Sequence, residues 1–559
     1  MSSIDLITAP HVEKNPNDRV PLVALIYFDV NVSVSSTVEV NDGHKTWRVK
    51  FNEDYNPSKG LPIVGMRADT EHQMKLSVNN QKGATAGPFE LTYRTPRLPD
   101  GTINMPEVNL ITSNSSAMET GFTMLSIRRS SLMRAHWATP KQAEFEKKWG
   151  LIAAFDEEGE VIWTYHSDAR IAGIHQLKNG NIFFHYVDFR TVEIDICGNI
   201  IRQFHASDRP FGSVENSIPI KAQSLHHQPH ELENGNFLAL TANTQEIKNY
   251  YTDIIDKTAP RKTQTVVGDN IVEFTPEGEI VWNWNTFDHL DTDRVGYGLL
   301  EPYWWVRGFP GALDWTHGNG VTGDPHDGNI LISLRHQDAV LKVDINSGEI
   351  IWILGDHQDW NSEYKSKLLT PIDNLTWPYH GHNPRVTGPN KFIMYDNGII
   401  GTLPPHPRKK PAKCLARAVE FEVDVENMEV RQIWSSAEYD TEAPVISFAM
   451  GDAHRLENTG NIMVIDSTCG PRREVLSDSG KLTWDDVDWR MGPRDSWHPT
   501  DFPQWVRVRE YGGQNNNEVV FELNLLDSNE IINWQAFGGL RVASFYPPGV
   551  ETGYVVPAS

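Results

Sequence analysis

The chain has few cysteines, and none is placed to build a metal or disulfide framework. Its 559 residues include three, Cys197, Cys414 and Cys469, which lie far apart and form no C-x-x-C pair. Disulfide-stabilised domains and thiolate zinc sites need several closely spaced cysteines. Both kinds of architecture are therefore excluded, although three isolated cysteines do not identify the compartment in which the protein works.

Long apolar runs are also absent. No stretch reaches the roughly 18 apolar residues that a membrane-spanning helix needs. The opening segment MSSIDLITAPHVEKNPNDR lacks the basic-then-apolar order of a secretory leader. We therefore expect no membrane span and see no leader in this sequence.

Basic residues are outnumbered. The chain has 50 Lys and Arg against 74 Asp and Glu, a formal charge of −24. A surface of that sign repels phosphate backbones and anionic lipid, so neither nucleic acid nor membrane is expected as a partner. The charge also serves solubility, and a hydrophobic content of 39% is typical of a folded globular protein.

The N-terminal region predicts a small domain of its own. Residues 20–95 contain short runs of β-branched and aromatic residues, such as VALIYF and FELTYR, separated by Asn, Asp and Gly. This pattern is typical of a β-sandwich, and the proline-punctuated stretch 95–108 suits a linker. We predict a sandwich domain with its linker over residues 1–108 and a catalytic domain over residues 109–559.

The second region contains an internal repeat. A turn, two or three apolar residues and an aromatic recur six times, ending at Trp163, Phe204, Trp282, Trp352, Trp434 and Trp534. A hairpin phrase precedes several copies, as in HQLKNGNIFF and HELENGNFLAL. Together the two phrases predict units of four strands, with the aromatic on the outer one, as in a propeller blade. The predicted fold is all-β, a six-bladed β-propeller after an N-terminal β-sandwich; a stack of separate sandwiches is the alternative.

Alignment of the blades separates two groups of histidines. His227, His317 and His382 fall at the start of successive inner strands, where two other blades have Ala172 and Gly451. Inner strands line the channel, so these three imidazoles are predicted to meet at one rim. Arg335 ends the second strand of the His317 blade and is expected at the same rim, since the two strands are antiparallel.

The remaining histidines are not assigned to the predicted site. His175, His230 and His454 all lie four residues before a turn asparagine and are interpreted as structural parts of the repeat. Four neighbours of the predicted site are left undecided, because strand alternation points them elsewhere: His226, His336, His357 and His380.

Two kinds of chemistry suit three histidines and an arginine. The imidazoles could hold zinc, but no H-E-x-x-H pair is present and the arginine would repel a dication. A guanidinium fork with several imidazoles suits a tetrahedral oxyanion better. A neutral imidazole can also act as a nucleophile and form a covalent intermediate. We favour an oxyanion and expect neither metal nor cofactor.

The motifs in this region resemble a known family. The stretches WTHGNGVTGDPHDGNILISLRHQDAVLKVDINSGEIIWILG, GHNPRVTGPNKFIMYDNG and CLARAVEFEVD are similar to the signature of bacterial arylsulfate sulfotransferases that do not use the nucleotide sulfate donor PAPS. The resemblance extends over about residues 110–545 and is specific over 220–440. It implies a ping-pong reaction in which an aryl sulfate donates a sulfuryl group to the enzyme and a phenol then accepts it.

The same resemblance implies roles for individual residues. His382 matches the histidine that is transiently sulfated, His317 and Arg335 match the groups that hold the sulfuryl group, and His227 matches a further site histidine. Asn319, in the H-G-N element, and Asn383, beside His382, are expected to bind substrate. The tryptophans, 18 in number, and the long insertions suggest an aromatic-lined mouth.

Departures from the family pattern put some expectations in doubt. Cys414 has no partner for the loop disulfide common in exported members, and Gln228 replaces an aspartate beside the second histidine. The loop IIGTLPPHPRKKPAK differs from the acidic family segment, which leaves acceptor choice open. The resemblance implies a periplasmic or secreted homodimer, with a cytoplasmic location not excluded. The alternatives are an aryl sulfatase, a metal-dependent lyase or lactonase, and a propeller that only binds an anionic aromatic.

Overall fold

The protein is built almost wholly of β-strands. The computed structural model describes residues 3–99, 103–131, 140–409, 414–439, 444–470 and 504–554. Within these ranges there are two α-helices, α1 (Pro140–Lys147) and α2 (Thr286–His289). Neither is long or apolar enough to cross a membrane.

The N-terminal region is a two-sheet sandwich, as predicted. One sheet has the order β1-β2-β5, and the other contains β4-β3-β6-β7. In β6 the buried residues alternate with exposed ones, so that Met74, Leu76 and Val78 point inward, which is the pattern of a strand with one face in a core. The strands are β1 (Leu6–Lys14), β2 (Ala24–Val30), β3 (Ser35–Asn41), β4 (Thr46–Phe51), β5 (Leu61–Ile63), β6 (Glu71–Asn79) and β7 (Thr85–Arg94).

The rest of the chain supplies the strands of the propeller and one further strand. They are β8 (Glu107–Ser113), β9 (Phe122–Ser131), β10 (Gly150–Phe155), β11 (Val161–Ser167), β12 (Ile171–Gln176), β13 (Ile182–Tyr186), β14 (Arg190–Ile194), β15 (Ile200–Ala206), β16 (Ile218–Ile220), β17 (His226–Glu231), β18 (Phe237–Tyr250), β19 (Lys262–Phe274), β20 (Ile280–Asn285), β21 (Leu313–Asp314), β22 (Gly318–Gly323), β23 (Ile330–Leu334), β24 (Ala339–Val343), β25 (Ile350–Gly355), β26 (Thr370–Pro371), β27 (His382–Gly388), β28 (Lys391–Asp396), β29 (Arg417–Asp424), β30 (Glu429–Ser435), β31 (Asp452–Arg455), β32 (Ile462–Cys469), β33 (Trp505–Gly512), β34 (Glu518–Leu526), β35 (Ile532–Val542) and β36 (Val550–Tyr554).

These strands form six antiparallel blades around a channel. From the channel outward the blades run β35-β9-β10-β11, β12-β13-β14-β15, β17-β18-β19-β20, β22-β23-β24-β25, β27-β28-β29-β30 and β31-β32-β33-β34. Each inner strand contacts the inner strand of the next blade, and β35 contacts β12, which closes the ring. The predicted six-bladed propeller is therefore confirmed. Short fifth strands (β8, β16, β21 and β26) extend four of the blades.

The two ends of the propeller region close the ring together. Strand β35, from the far end of the chain, pairs with β9 at the inside of the first blade, while β8 pairs with β34 at the outside of the last. The aromatic-ended phrases at Trp163, Phe204, Trp282, Trp352 and Trp434 lie in fourth strands, as predicted. The prediction for Trp534 is wrong, because this residue lies in β35, an inner strand, where the closing blade takes its last segment.

The last strand returns to the sandwich. Strand β36 pairs with β4 along the edge of the second sandwich sheet. Just before it, Tyr546 packs against Phe51 of the sandwich, with ring centroids 5.8 Å apart, and Phe545 stacks on Trp163 of the first blade at 6.0 Å. One apolar core therefore joins the sandwich to the propeller. The boundary predicted at residue 108 stays a prediction, and the sandwich sheet takes one strand from beyond it.

Ring closure gives a testable stability difference. Trp534 is fully buried and packs against Trp149, with centroids 5.5 Å apart. We expect Trp534→Ala to lower the free energy of unfolding by about 3–5 kcal/mol, the usual cost of emptying a large core position. The matched control is Ile531→Ala, three residues earlier and 58% exposed, for which a change within about 0.5 kcal/mol is expected. Urea titration measures both, and equal midpoints for the two variants would contradict the burial of Trp534 in the core of the closing blade.

Candidate active site

The inner strands are bent at one place in several blades. Pairing slips between β12 and β13, β17 and β18, β22 and β23, and β27 and β28, each time near the start of the inner strand. At this level His227, His317 and Asn383 have φ of 66°, 46° and 50°, a left-handed conformation that costs a side-chain-bearing residue about 1–2 kcal/mol. Such bulges re-aim side chains, and here they turn them toward one rim of the channel.

A cavity of about 300 Å³ lies at that rim, and we call it the inner cavity. Its wall includes all four predicted catalytic residues: His227, His317, Arg335 and His382. The rings of His227 and His317 are 5.3 Å apart, and the backbone N–H of Arg335 donates to the carbonyl of His317 at 3.1 Å. The structure thus brings together the four side chains that the blade alignment selected.

His382 is held in a single orientation. Its Nδ1 lies 2.6 Å from Oδ1 of Asn397 and 3.1 Å from the carbonyl of His380. Both partners can only accept, so Nδ1 carries the proton, and Nε2 accepts from the backbone N–H of Met450 at 3.1 Å. Burial, followed by the nearby Arg335 guanidinium, lowers the pKa of His382 to about 3. The imidazole is therefore neutral, with its lone pair on Nε2.

Asn397 is a site residue whose role sequence reasoning missed. Its Nδ2 donates to Oγ of Ser447 at 2.9 Å and to the carbonyl of Met450 at 3.0 Å. These two contacts require the amide nitrogen on that side and leave Oδ1 facing His382. The sequence motif D-N-G, which is part of the family resemblance, contains Asn397. The motif alone did not show which residue the side chain contacts.

His317 forms a dyad with Asp314. Its Nδ1 lies 2.6 Å from Oδ2 of Asp314, whose Oδ1 accepts from Nε1 of Trp304 at 2.9 Å. Burial raises the pKa of Asp314 to about 7. Burial, with His336 next, lowers that of His317 well below its usual value. The pair therefore exchanges a proton near neutral pH. When the pair is protonated, Nε2 of His317 carries an N–H; when it is deprotonated, Nε2 carries a lone pair.

Arg335 is anchored from one side. Its Nη1 contacts Oε2 of Glu301 at 3.4 Å and Nε2 of His336 at 2.6 Å. Burial alone would raise the pKa of Glu301, but the neighbouring Arg335 and His336 outweigh burial and lower this pKa well below its usual range. The carboxyl is therefore ionised. His336 in turn places Nδ1 2.8 Å from the carbonyl of Asp314. The guanidinium is thus fixed by Glu301 and His336 on one edge while it lines the inner cavity.

His227 has aromatic neighbours and a histidine partner. Its Nδ1 lies 2.5 Å from Nδ1 of His226, which also lines the cavity. Its ring stacks on Tyr303 at 5.9 Å and 18°. Gln228, which replaces the family aspartate, points away and accepts from Arg385 at 3.1 Å. The orienting partner of His227 is therefore His226 rather than the residue that follows it.

Asn319 and Asn383 lie outside the wall of the inner cavity. Nδ2 of Asn319 donates to the carbonyl of Gly381 at 2.8 Å, and Nδ2 of Asn383 donates to that of Gly451 at 3.1 Å. Each asparagine thus ties its blade to the next one. The substrate contacts expected of them stay a prediction.

Other predicted features are placed elsewhere. His175, His230 and His454 line a cavity at the opposite end of the channel. His357 contacts the carbonyl of Leu369 at 2.9 Å and His380 contacts Asp338 at 3.0 Å, and neither lines the inner cavity. In the part of the chain that the structure describes, no residue of the 399–409 loop lines it either, so the influence of that loop on acceptors stays a prediction. All three cysteines are free and buried.

The aromatic wall is made by tyrosine and phenylalanine instead of tryptophan. Among the described residues, the rings that line the inner cavity are Tyr186, Phe189, Tyr303, Phe448 and Phe537. Tyr303 is the most central, 4.3 Å from the ring of His317. The prediction that tryptophans and long insertions build an aromatic-lined mouth stays a prediction, because Trp137, Trp484, Trp489 and Trp497 lie outside the described residues. The flat, apolar lining fits an aromatic ring.

One group of side chains could approach a cation. Asp314, His317 and His336 place one potential ligand atom each within 4.8 Å of one another. Nε2 of His336, however, already faces the Arg335 guanidinium at 2.6 Å, so a dication there would meet a fixed positive charge. The donor set suits a proton relay better than a metal ion.

Family models match most of the chain. Residues 107–532 match the model described as arylsulfotransferase (ASST), and residues 11–96 match the arylsulfotransferase Ig-like domain. The first of these covers more than half of the chain. The second agrees with the N-terminal sandwich.

Two curated relatives carry the same description. The chain is 22% identical over 522 residues to arylsulfate sulfotransferase AssT of Lelliottia amnigena, covering 78% of this chain and 81% of that protein. It is 24% identical over 235 residues to AssT of Escherichia coli O6:H1, covering 34% of this chain and 39% of that protein.

A solved structure shows a weak likeness. A protein of unknown function from Bacteroides caccae matches with a TM-score of 0.36 at 12% identity, covering 75% of this chain and 99% of that one. This likeness carries no argument about function. On the strength of the two family models, this chain belongs to the arylsulfotransferase family and is a sulfotransferase enzyme that acts on small aryl substrates.

Proposed function

We propose that the enzyme moves a sulfuryl group from an aryl sulfate to a phenol in two steps, through a covalent intermediate on Nε2 of His382. The observation that carries the proposal is the hydrogen bond from Nδ1 of His382 to Oδ1 of Asn397, at 2.6 Å. This contact places the imidazole lone pair on Nε2, and the lowered pKa keeps it there at neutral pH. A neutral imidazole with a fixed tautomer is a nucleophile ready for use.

In the first step Nε2 of His382 attacks the sulfur of the donor. The N–S bond forms, the bond between sulfur and the phenolic oxygen breaks, and the phenolate leaves with the electron pair. Nε2 of His317 in its protonated form gives the departing oxygen a proton. The Arg335 guanidinium, which lines the same cavity, stabilises the sulfuryl oxygens as charge shifts among them.

In the second step the acceptor phenol takes the place of the first. His317, now deprotonated, removes the phenolic proton while the oxygen attacks sulfur. The N–S bond breaks and its electron pair returns to Nε2. Asn397 is neutral and cannot take the proton from Nδ1, so the sulfated ring is an imidazolium and a good leaving group. The Met450 N–H, which meets Nε2 in the free enzyme, must give up this contact when sulfur binds and can then serve a sulfuryl oxygen.

The covalent step gives the most direct prediction. Incubation with p-nitrophenyl sulfate without acceptor is expected to add about 80 Da to the peptide that carries His382, the mass of one sulfuryl group. Mass spectrometry at neutral or basic pH measures the adduct, since sulfated histidine is acid-labile. The His382→Asn variant should show no adduct and no nitrophenol burst. A burst that leaves free sulfate and no transfer to added phenol would indicate a sulfatase instead.

Asn397 provides a test of the fixed tautomer. We expect Asn397→Leu to lower kcat by about 10- to 100-fold with a smaller change in KM, because the ring loses the partner that orients it. Asn397→Asp retains the acceptor but gains a charge, and it is expected to raise the pKa of His382 and add an acid limb to the pH profile. Steady-state kinetics and thermal melting separate this positioning role from a folding defect. Unchanged kcat in Asn397→Leu would contradict it.

The pH dependence of kcat/KM is expected to follow the titration of the Asp314–His317 dyad and not that of His382. Because Asp314 has its pKa raised to about 7, the acid form of the dyad is lost above that pH. We therefore expect kcat/KM for phenyl sulfate to fall above about pH 7 and to show no acid limb near 6.5. The matched control is p-nitrophenyl sulfate, whose phenolate leaves without a proton and whose kcat/KM should fall much less. An acid limb near 6.5 with both donors would show that His382 titrates normally, contrary to the mechanism.

A further inference from the structure

A second cavity adjoins the inner one and has no part in the mechanism above. It has a volume of about 920 Å³, and we call it the outer cavity. The two share four wall residues, Arg170, Tyr186, Val187 and Arg307. The outer cavity also takes residues from the sandwich and from the end of helix α1, so it is formed where three parts of the fold meet.

The outer cavity is basic although the chain is strongly acidic. Its wall contains six cations and three carboxylates: Arg19, Lys147, Lys148, Arg170, Arg190 and Arg307 against Glu146, Asp168 and Asp188. Arg19 pairs with Asp168 at 3.1 Å and Arg190 with Asp188 at 2.8 Å. These two ion pairs neutralise Asp168 and Asp188, so neither carboxylate offsets the charge of the remaining cations in the wall. A positive surface on a protein of net charge −24 attracts anions locally.

Three arginines stand at the junction of the two cavities. Arg128, Arg170 and Arg307 all line the inner cavity, and the last two also line the outer one. Burial, and after it the charges of Arg170 and Arg307, lowers the pKa of Arg128 well below its usual value. Guanidinium groups nevertheless remain charged in proteins. The three therefore repel one another in a partly desolvated place.

The hydrogen bonds of Arg128 and Arg307 are made to neutral groups. Nε of Arg128 donates to the carbonyl of Ile171 at 2.6 Å, and its guanidinium lies 4.9 Å from the ring of Phe537. Arg307 donates to the carbonyl of Tyr303 at 2.7 Å and lies over the Tyr303 ring at 3.6 Å.

Arg170 is the least satisfied of the three. Its Nε is buried without a hydrogen-bond partner in the described part of the chain. The nearby carboxyl of Glu146, in the wall of the outer cavity, favours the charged form of Arg170, but among the described residues it forms no salt bridge with any of the three arginines. Three guanidiniums beside one carboxyl leave an excess of positive charge, and guanidinium groups bind oxyanions through paired hydrogen bonds.

This cluster is separate from the group that holds the sulfuryl moiety. Arg335 is already paired with Glu301 and His336 beside His317, whereas Arg128 and Arg307 contact Phe537 and the Tyr303 backbone. An inner cavity of about 300 Å³ is at the lower limit of ligand pockets and suits one aromatic ring. Arg170 and Arg307 line both cavities, so a ring with its oxygen at His382 and its other end toward the outer cavity would meet them.

We propose that the preferred substrates are phenols and aryl sulfates that carry a second anionic group, a carboxylate or a sulfate ester, on the side of the ring opposite the reacting oxygen. Arg170 and Arg307 bind this second anion, Arg128 adds its charge, and the outer cavity accommodates the remainder of a larger molecule. This proposal rests on the proposed sulfuryl transfer. It specifies which aryl sulfates are the preferred donors and which phenols are the preferred acceptors.

The experiment compares two acceptors that differ only in charge. With p-nitrophenyl sulfate as donor, 3-(4-hydroxyphenyl)propionate is compared with its primary amide, in which the phenolic pKa is the same. We expect kcat/KM for the carboxylate to exceed that for the amide by at least about tenfold, the value of one charge-assisted hydrogen bond. Arg170→Gln and Arg307→Gln should each reduce this ratio toward one. Added salt should reduce it in the wild-type enzyme.

Controls separate this proposal from the proposed function. Arg190→Gln is the matched variant, because Arg190 lines the outer cavity but is paired with Asp188, and its ratio should match the wild-type value. Transfer to the amide with no preference for the carboxylate would overturn the second-anion site and leave sulfuryl transfer standing. If no phenol accepts, the proposed function fails. Calorimetric titration of the two compounds then decides the anion site: tighter binding of the carboxylate that Arg170→Gln abolishes would retain it, and equal binding would overturn it.

Discussion

The hydrogen bond from Nδ1 of His382 to Oδ1 of Asn397 is the contact on which the site depends. Asn397 is itself fixed by Ser447 and by the carbonyl of Met450, which belong to the linking segment before β31. Strand β27 supplies the imidazole, the end of β28 supplies the amide, and the following blade supplies the two groups that orient it. In the mechanism we propose, the nucleophile is thus oriented by the packing of neighbouring blades, and a neutral amide keeps the proton on Nδ1 in both steps.

Burial then sets the charge of the remaining groups. Four imidazoles line the inner cavity together with arginines: His226, His227, His317 and His382. Their pKa values are lowered, because protonating them would add charge to a desolvated, already positive place. Burial raises the pKa of two carboxyls near the site, Asp314 and Asp269, to about 7, and the first of them is hydrogen-bonded to His317. The proposed nucleophile and the proposed acid are therefore different histidines in different electrostatic surroundings, which is a common way to divide roles within one site.

Much of this arrangement could be predicted from the repeat, and the exceptions have physical causes. Blade alignment placed His227, His317, His382 and Arg335 at one rim, because equivalent positions in a radial repeat are equivalent in space. It failed at Trp534, since closing the ring moves the last strand to the inside of the first blade. Asp314 and Asn397 were missed because their contacts depend on insertions and on a neighbouring blade, which no local period encodes.

The shape of the channel is consistent with the covalent intermediate that we propose. Below the inner cavity Arg385 bridges the channel, contacting Asp452 at 2.7 Å and Gln228 at 3.1 Å. Since these three residues belong to three different blades, the bridge separates the inner cavity from the cavity at the other end. A cavity of about 300 Å³ that is closed below has room for one ring beside His382. In the mechanism we propose, donor and acceptor therefore occupy this position in turn, and the sulfuryl group stays on His382 while one phenol replaces the other.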